Sequence, residues 1–244
     1  MAELRVSVWR GDAGGGGFAE FRVPARDNQT VLDVVTHIQR EIEPSLAYRF
    51  ACRVGMCGSC AMVVNGRARW TCRTHVSRVV GDDGRLELRP LDNLPVIRDL
   101  ATDMTPFFEK WTKARGRFQP KDAPDGAIPE EFHVVPPGSK QRQEADAGIE
   151  CIGCGVCYAS CDVVAWNPDY LGPAALNRAW TLVNDVRDGG RKERLQAVAG
   201  DAGCHSCHST QSCTERCPKA LDPSAAIAGL KRTVFWDTLL GRLR

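Results

Sequence analysis

Residues 52–60 read CRVGMCGSC, and this stretch decides how the first part of the chain folds. Its three cysteines have the C-x4-C-x2-C spacing of a plant-type [2Fe–2S] site, which a later cysteine completes. Gly55 and Gly58 allow tight turns that direct backbone N–H groups at sulfur, and such hydrogen bonds help to set a redox potential. The sequence therefore predicts a [2Fe–2S] site whose ligands are Cys52, Cys57, Cys60 and Cys72.

The chain contains twelve cysteines, and the remaining eight form two groups of four. The first of these groups has the C-x2-C-x2-C-x3-C spacing of bacterial-type ferredoxins. The second group ends in a cysteine followed by proline, as such runs also do. The two groups consist of Cys151, Cys154, Cys157 and Cys161, and of Cys204, Cys207, Cys213 and Cys217.

Exchange of ligands between these two groups predicts two further cluster sites. In bacterial-type runs the fourth cysteine binds the other cluster, so Cys161 and Cys217 exchange places. Thr210 stands where a regular run has another cysteine, and a cube corner without a thiolate loses its iron. The prediction is a [4Fe–4S] site of Cys151, Cys154, Cys157 and Cys217, and a [3Fe–4S] site of Cys161, Cys207 and Cys213.

Cys204 leaves two interpretations open. It precedes Cys207 by three residues and would, as a fourth thiolate, make the last site a second [4Fe–4S] centre. Alternatively it is a cysteine of a loop and binds no iron. The spacing favours the second interpretation.

Composition favours iron–sulfur chemistry over other uses of cysteine. The first residues do not have the apolar pattern of a leader, so we expect a chain that is not exported. In such a chain twelve cysteines are not expected to form a disulfide framework. Structural zinc also uses four cysteines, but usually as two pairs separated by a loop. The formal net charge of +2 gives no support to nucleic-acid binding. No apolar run approaches the ~20 residues of a membrane span.

The N-terminal third predicts a β-grasp domain. Residues 4–9 and 18–23 alternate between apolar and polar side chains, which predicts a hairpin closed by a loop over the glycines of residues 11–17. Thr30 is an N-cap candidate for a helix that ends before Pro44. Two further strands are predicted at residues 61–64 and 67–70, with Asn65-Gly66 as the hairpin turn between them. A last strand is predicted at residues 86–90.

The rest of the chain predicts a second, all-helical domain, so that the fold class is α+β. The predicted bounds are residues 1–103 for the [2Fe–2S] ferredoxin domain and residues 104–244 for the helical two-cluster domain. Within the latter, the proline-rich segment 118–137 predicts a connecting strap. Helices are predicted at residues 105–111, 174–188 and 223–240.

The sequence resembles the iron–sulfur subunits of succinate dehydrogenase and fumarate reductase, in order and over nearly the whole chain. The resemblance implies the cluster series [2Fe–2S], [4Fe–4S], [3Fe–4S]. It also implies a flavoprotein partner that carries FAD, one or more membrane-anchor subunits, and quinone at the interface with the anchor. The segments that carry it are residues 52–60, 95–100, 151–157, 166–168, 171–176 and 207–219.

The same resemblance implies a quinone site and a location. Trp166 and His208 match the Trp and His that help to form the quinone site beside the three-iron cluster. An electron-transfer subunit of a succinate:quinone oxidoreductase would be held by its anchor on the cytoplasmic face of a prokaryotic inner membrane. The alternatives are an electron-transfer subunit of another flavin-dependent organic-acid dehydrogenase and, in a different class, a zinc-stabilised binding module.

Overall fold

The computed structural model describes residues 3–121 and 134–243, and the chain divides into two compact units. The first unit consists of Met1–Pro106 and Ile152–Ser160, and the second of Phe107–Cys151 and Cys161–Arg244. The segment 152–160 thus lies in the first unit, whereas the sequence grouped it with the C-terminal domain. The domain bounds at residues 103 and 104 stay a prediction.

The first unit contains a mixed sheet made of β1 (Glu3–Asp12), β2 (Gly15–Pro24), β3 (Ala61–Val64), β4 (Arg67–Trp70) and β5 (Arg85–Arg89). The strand order is β2-β1-β5-β3-β4, with β1 and β5 parallel and the other neighbours antiparallel. A central parallel pair between two hairpins, joined by a crossing helix, is the β-grasp arrangement. The predicted fold of this part is confirmed.

Of the two predicted hairpins, β3–β4 has the turn that the sequence predicted, whereas the turn of β1–β2 is shorter than predicted. Asn65 and Gly66 have φ values of 47° and 71°, as a type I′ turn requires, so the predicted β3–β4 hairpin is confirmed. The β1–β2 hairpin is present, but the predicted loop over residues 11–17 was too long, because β1 continues to Asp12 and β2 already begins at Gly15. Glycine adopts extended backbone as readily as a turn, so pairing with the neighbouring strand decides its conformation.

Helix α1 (Val31–His37) crosses the sheet and closes the core of the first unit. Thr30 caps it through a capping box, in which its side chain accepts the N–H of Asp33 and the Asp33 carboxylate accepts the N–H of Thr30. A turn of π-helix, Ile38–Ile42, follows. The core combines one face of α1 and the first residue of the π-helical turn with the inner face of the sheet. Its residues include Val31, Val34, Val35 and Ile38 on the helical side, and Leu4, Val6, Val8, Val64, Leu86 and Leu88 on the sheet.

A short hairpin of β6 (Val96–Arg98) and β7 (Ala101–Thr102) was not predicted. Asp99 lies in its turn with a φ of 50°, in the left-handed region that asparagine and aspartate tolerate better than most residues. Only 2% of Asp99 is exposed, so its carboxylate is buried together with the turn.

Asp99 connects three separate segments of the first unit. Its carboxylate accepts the backbone N–H groups of Gly11, at 3.1 Å, and Ala47, at 2.8 Å, and it pairs with Arg10 Nε at 3.0 Å. Burial alone would raise the pKa of Asp99, but these donors outweigh it and hold the pKa below its usual value. The end of β1 and the chain leading to the cysteine loop are therefore fixed by one charged group.

Helices form most of the remaining regular structure, as predicted for the second part of the chain. The helix predicted at 174–188 ends at Val183, where Asn184 takes the C-cap position. Five helices, over residues 140–149, 156–159, 162–166, 191–198 and 212–215, were not predicted. The helices are α2 (Thr105–Lys113), α3 (Lys140–Ile149), α4 (Val156–Ala159), α5 (Asp162–Trp166), α6 (Pro173–Val183), α7 (Arg191–Val198), α8 (Ser212–Glu215) and α9 (Pro223–Leu239).

The second unit is built around α6, which packs against α3, α7 and α9. The contact with α9 is close because Gly229 faces the ring of Trp180, where an added Cβ would lie 2.6 Å from the indole. Within residues 3–121 and 134–243, no helix combines the length and the apolar character needed to cross a bilayer.

The first part of the predicted strap is attached to the second unit. Lys121 donates its N–H to the carbonyl of Arg187 at 2.9 Å, and Gly189 donates to the carbonyl of Gln119 at 2.8 Å. Residues 122–133, the middle of the predicted strap at 118–137, lie outside the described residues.

A buried ion pair secures this attachment. Arg194 Nη1 lies 2.6 Å from Asp188 Oδ1, and neither side chain is more than 2% exposed. Arg194 also donates to the carbonyls of Arg115 and Arg117, at 2.9 and 3.0 Å. Asp188 accepts the N–H of Gln119 at 3.1 Å. Each charge is thus surrounded by partners, as a buried ion pair requires.

Candidate iron–sulfur sites

The loop of residues 52–60 is folded around the sulfur of its first cysteine. The backbone N–H groups of Val54, Met56 and Cys57 donate to Cys52 Sγ at 3.5, 3.2 and 3.3 Å. Such convergence stabilises a thiolate and is the kind of hydrogen bonding that tunes iron–sulfur clusters. The donor set therefore fits a [2Fe–2S] group held by this loop.

Left-handed backbone produces this shape. Arg53, Gly55 and Gly58 have φ values of 59°, 74° and 72°. Two of these three positions are glycines, as the sequence anticipated, since other residues are strained there. Arg53 tolerates the conformation with its guanidinium 4.7 Å from the ring centroid of Phe50.

The two ends of the predicted ligand set differ electrostatically. The N–H of Cys52 and the hydroxyl of Ser59, which lie 3.5 and 3.0 Å from the sulfur, lower the pKa of the Cys57 thiol to about 6. Burial, and then the neighbouring Cys60, raise the pKa of Cys72 to about 11. Cys57 is exposed, whereas Cys60 and Cys72 are buried. The site thus has one face toward the surface and one toward the sheet.

The predicted [4Fe–4S] ligands fall in both units. Cys154 and Cys157 belong to the first unit, and Cys151 and Cys217 to the second. Cys157 is in α4, which follows Gly155 with a φ of 79° and packs against β4.

The first two cysteine runs meet inside the first unit. A Cβ placed on Gly58 would lie 2.4 Å from Cys154 Cβ and 3.0 Å from its Cα. It would also lie 3.4 Å from Ile152 Cδ1. The backbone between Cys57 and Cys60 therefore rests on Cys154.

The structure brings the three predicted ligands of the last site together in the second unit. Burial raises the pKa of Cys161, and the adjacent thiols of Cys213 and Cys207 raise it further. Burial and the same three thiols also raise the pKa of Tyr170, which is 1% exposed and hydrogen-bonded to Cys207. The sequence did not predict a role for Tyr170, because this residue is far from Cys207 and Cys213 in the sequence.

Two further residues shape this last site. Lys231, on α9, donates from Nζ to the carbonyl of Cys207 at 2.6 Å and was also not anticipated. Cys204 is completely buried in a short 3-10 turn, Cys204–Ser206, and burial raises the pKa of its thiol to about 11. Cys204 is therefore part of the interior of the unit and not of a surface loop.

Trp166 and His208 are at the surface. Trp166 is the last residue of α5 and is 72% exposed, although an isolated tryptophan is more often buried in a core. His208, directly after Cys207, is exposed as well. The two residues that the resemblance assigned to quinone binding are thus accessible.

In residues 3–121 and 134–243, no three Cys, His, Asp or Glu side chains converge as the ligands of one metal ion would. The thiolates of an iron–sulfur cluster are distributed over several irons and need not converge in this way.

Two family models match the chain. Residues 4–109 match a 2Fe-2S iron–sulfur cluster binding domain, and residues 150–222 match a 4Fe-4S dicluster domain. The predicted [2Fe–2S] and [4Fe–4S] cofactors are thereby confirmed, and the zinc-stabilised module is excluded.

Whole-chain relatives decide the family. The mitochondrial succinate dehydrogenase (ubiquinone) iron–sulfur subunit 1 of Oryza sativa is 38% identical over 83% of this chain and 70% of its own. The fumarate reductase iron–sulfur subunit of Haemophilus influenzae is 35% identical over 85% of this chain and 82% of its own. The chain belongs to this family of iron–sulfur subunits.

A solved structure agrees with this assignment. A chain of the Mycobacterium smegmatis Sdh1 complex in the apo form superimposes with a TM-score of 0.82, at 32% identity and over 95% of both chains. The predicted fold class and function are confirmed: the protein is an electron-transfer subunit of the succinate dehydrogenase and fumarate reductase class. It therefore works together with partner subunits.

Proposed function

We propose that this subunit carries electrons between the FAD of a flavoprotein partner and quinone at one or more membrane-anchor subunits. The observation that carries the proposal is that the first and last cysteine sites each adjoin exposed apolar side chains. The clusters supply one-electron carriers, while the flavin supplies two-electron chemistry. The subunit would be attached peripherally to the cytoplasmic face of a prokaryotic inner membrane.

The cysteine loop supports docking of the flavoprotein at the first site. Val54 and Met56 are 60% and 64% exposed, and they flank the exposed Cys57. Methionine and other apolar side chains that are accessible beside a functional group favour association with another protein. A flavoprotein bound here would bring its flavin close to Cys57 without any rearrangement of the buried ligands.

The second unit supports a quinone site next to the last cysteine set. An indole N–H can donate a hydrogen bond to a quinone carbonyl, and imidazole exchanges protons near neutral pH. Trp166 and His208 each follow a predicted ligand closely, at five residues after Cys161 and one after Cys207. We assign both residues to quinone binding.

The C-terminal end of α9 supports attachment to the anchor. Val234 and Asp237 lie on the buried face of this helix. Four large apolar side chains occupy the opposite face and are between 56% and 66% exposed: Phe235, Trp236, Leu239 and Leu240. Aromatic residues are enriched where proteins associate, and this face would contact an anchor subunit.

The proposed ligand sets are those predicted from the spacing. Cys204 is left out of these sets because the spacing favours a cysteine that binds no iron, and its thiol is buried in the 3-10 turn. The sets are Cys52, Cys57, Cys60 and Cys72 for [2Fe–2S], Cys151, Cys154, Cys157 and Cys217 for [4Fe–4S], and Cys161, Cys207 and Cys213 for [3Fe–4S].

Iron content tests these sets. The anaerobically isolated complex is expected to contain about nine iron atoms per copy of this subunit and to show the EPR signal of an oxidised three-iron cluster. The Cys204→Ala variant should retain both, because the thiol only fills space. About ten irons without a three-iron signal in the unmodified protein would make Cys204 a ligand.

The quinone assignment predicts a selective loss of activity. In the His208→Ala complex, quinone reduction by succinate should fall by about a hundredfold or more, since a proton-exchanging group is lost. Reduction of an artificial acceptor that takes electrons at the flavin should keep its rate. Trp166→Phe should raise the KM for quinone, because the ring remains while its N–H donor is lost.

His205→Ala is the matched control, since His205 is also exposed and lies in the same segment. Its quinone reduction should equal that of the unmodified complex. Equal losses in both assays of the His208 variant would contradict the quinone assignment, and an intact quinone rate would do the same.

A further inference from the structure

We propose that Gly58 is a positioning residue that sets the separation of the first and second clusters. The proposal rests on the proposed function, because it requires ligands at Cys57, Cys60 and Cys154. In the step concerned, one electron would pass from the first cluster to the second, and no bond would be formed or broken. Its rate depends steeply on distance, so the residue that limits the approach of the two ligand loops controls it.

The contact is too close for any other residue. A Cβ on Gly58 would lie 2.4 Å from Cys154 Cβ, whereas ordinary van der Waals contact begins at 3.4 Å. One of the two ligand loops would have to move by about 1 Å to accommodate alanine. The atoms that oppose the Cβ are the Cα and Cβ of a predicted ligand, which cannot rotate away as the end of a long side chain can.

Both sides of the contact are held in place. On one side, the N–H groups of Met56 and Cys57 fix the loop around Cys52 Sγ. On the other side, the segment that contains Cys154 continues into α4, and Asn93 donates from its side chain to the carbonyl of Tyr158 at 3.0 Å. Movement caused by a larger residue would therefore displace a ligand and not only a flexible loop.

Gly66 provides a matched control. Its φ of 71° is nearly identical to the 72° of Gly58, so alanine would have to adopt the same left-handed φ at both positions. A Cβ on Gly66 would meet nothing within 4 Å, because Gly66 lies in the β3–β4 hairpin turn. The two alanine variants thus share the positive φ and differ in the contact with Cys154.

The test compares the Gly58→Ala and Gly66→Ala variants in the assembled complex. EPR power saturation of the reduced [2Fe–2S] signal reports its magnetic coupling to the second cluster. We expect the Gly58→Ala signal to keep its full intensity but to saturate at lower power, and quinone reduction to be slower than in the unmodified complex. The Gly66→Ala complex should match the unmodified protein in both measurements.

Unchanged saturation in Gly58→Ala would overturn the proposal. Loss of the [2Fe–2S] signal in this variant would overturn it too, because Gly58 would then serve the folding of the loop alone. The proposed function fails separately, if the unmodified complex lacks the signal of either cluster. If the unmodified complex shows both signals but no magnetic coupling between the two clusters, only the role of Gly58 is disproved.

Discussion

The Cys57→Ala complex is expected to lose its [2Fe–2S] EPR signal and to reduce quinone only at the background rate of the assay. Alanine supplies no thiolate, and each iron of the cluster needs its protein ligands. Cys57 belongs to the exposed face of the first site, so its replacement creates no cavity in the core of the sheet. Iron content should fall from about nine to about seven atoms per subunit.

Two assays distinguish a broken electron path from a misfolded subunit. The signals of the other two clusters should remain, and succinate should still reduce an artificial acceptor that reacts at the flavin. Cys204→Ala, which also removes one thiol, serves as the control and should retain quinone reduction. Quinone reduction that persists in the Cys57→Ala complex would disprove the proposed path through the first site.

Breaking the Arg194–Asp188 pair should strongly destabilise the second unit. The Arg194→Met variant leaves the Asp188 carboxylate buried without its counter-ion, and the carbonyls of Arg115 and Arg117 lose their donor. Such losses cost about 3–5 kcal/mol in free energy of unfolding. With a urea dependence of about 3 kcal/mol per molar, the unfolding midpoint should fall by roughly 1–2 M.

Anaerobic urea unfolding of the full-length chain, followed by far-UV circular dichroism, measures this shift. Arg142→Met is the control, because Arg142 pairs with Asp146 at 2.8 Å on the surface of the same unit, where its side chain is 35% exposed. Exposed pairs of this kind contribute about 0.5 kcal/mol or less. A midpoint for Arg194→Met within the error of the control would show that the buried pair does not stabilise the unit.

Local patterns were enough to predict much of this protein. The N-cap at Thr30 and the hairpin turn at Asn65-Gly66 depend on residues that lie close together in the sequence, and both were predicted correctly. The cysteine spacings belong to the same class of information, because a cluster fixes the number of residues between its ligands. The [2Fe–2S] and [4Fe–4S] cofactors followed from these spacings. The fold class followed from the strand and helix patterns, and the family from the resemblance of longer segments.

Boundaries of elements depended on residues farther away. The glycines of residues 15–17 belong to β2 because they pair with β1, and nothing in their own sequence favours a strand. The helix predicted to reach residue 188 ends at Val183, and Asp188 lies beyond it in the buried pair with Arg194. Asp99 gave no signal in the sequence that it binds the backbone of Gly11 and Ala47.

The sequence by itself determined which residues are candidate ligands, because ligand chemistry and spacing are properties of short segments. Only the tertiary structure decided what surrounds them: that Trp166 is exposed, that Cys204 is buried, and that Gly58 rests on Cys154. Gly58 and Cys154 are almost a hundred positions apart in the sequence. Contact over such a separation results from the packing of the whole unit, which no local pattern encodes.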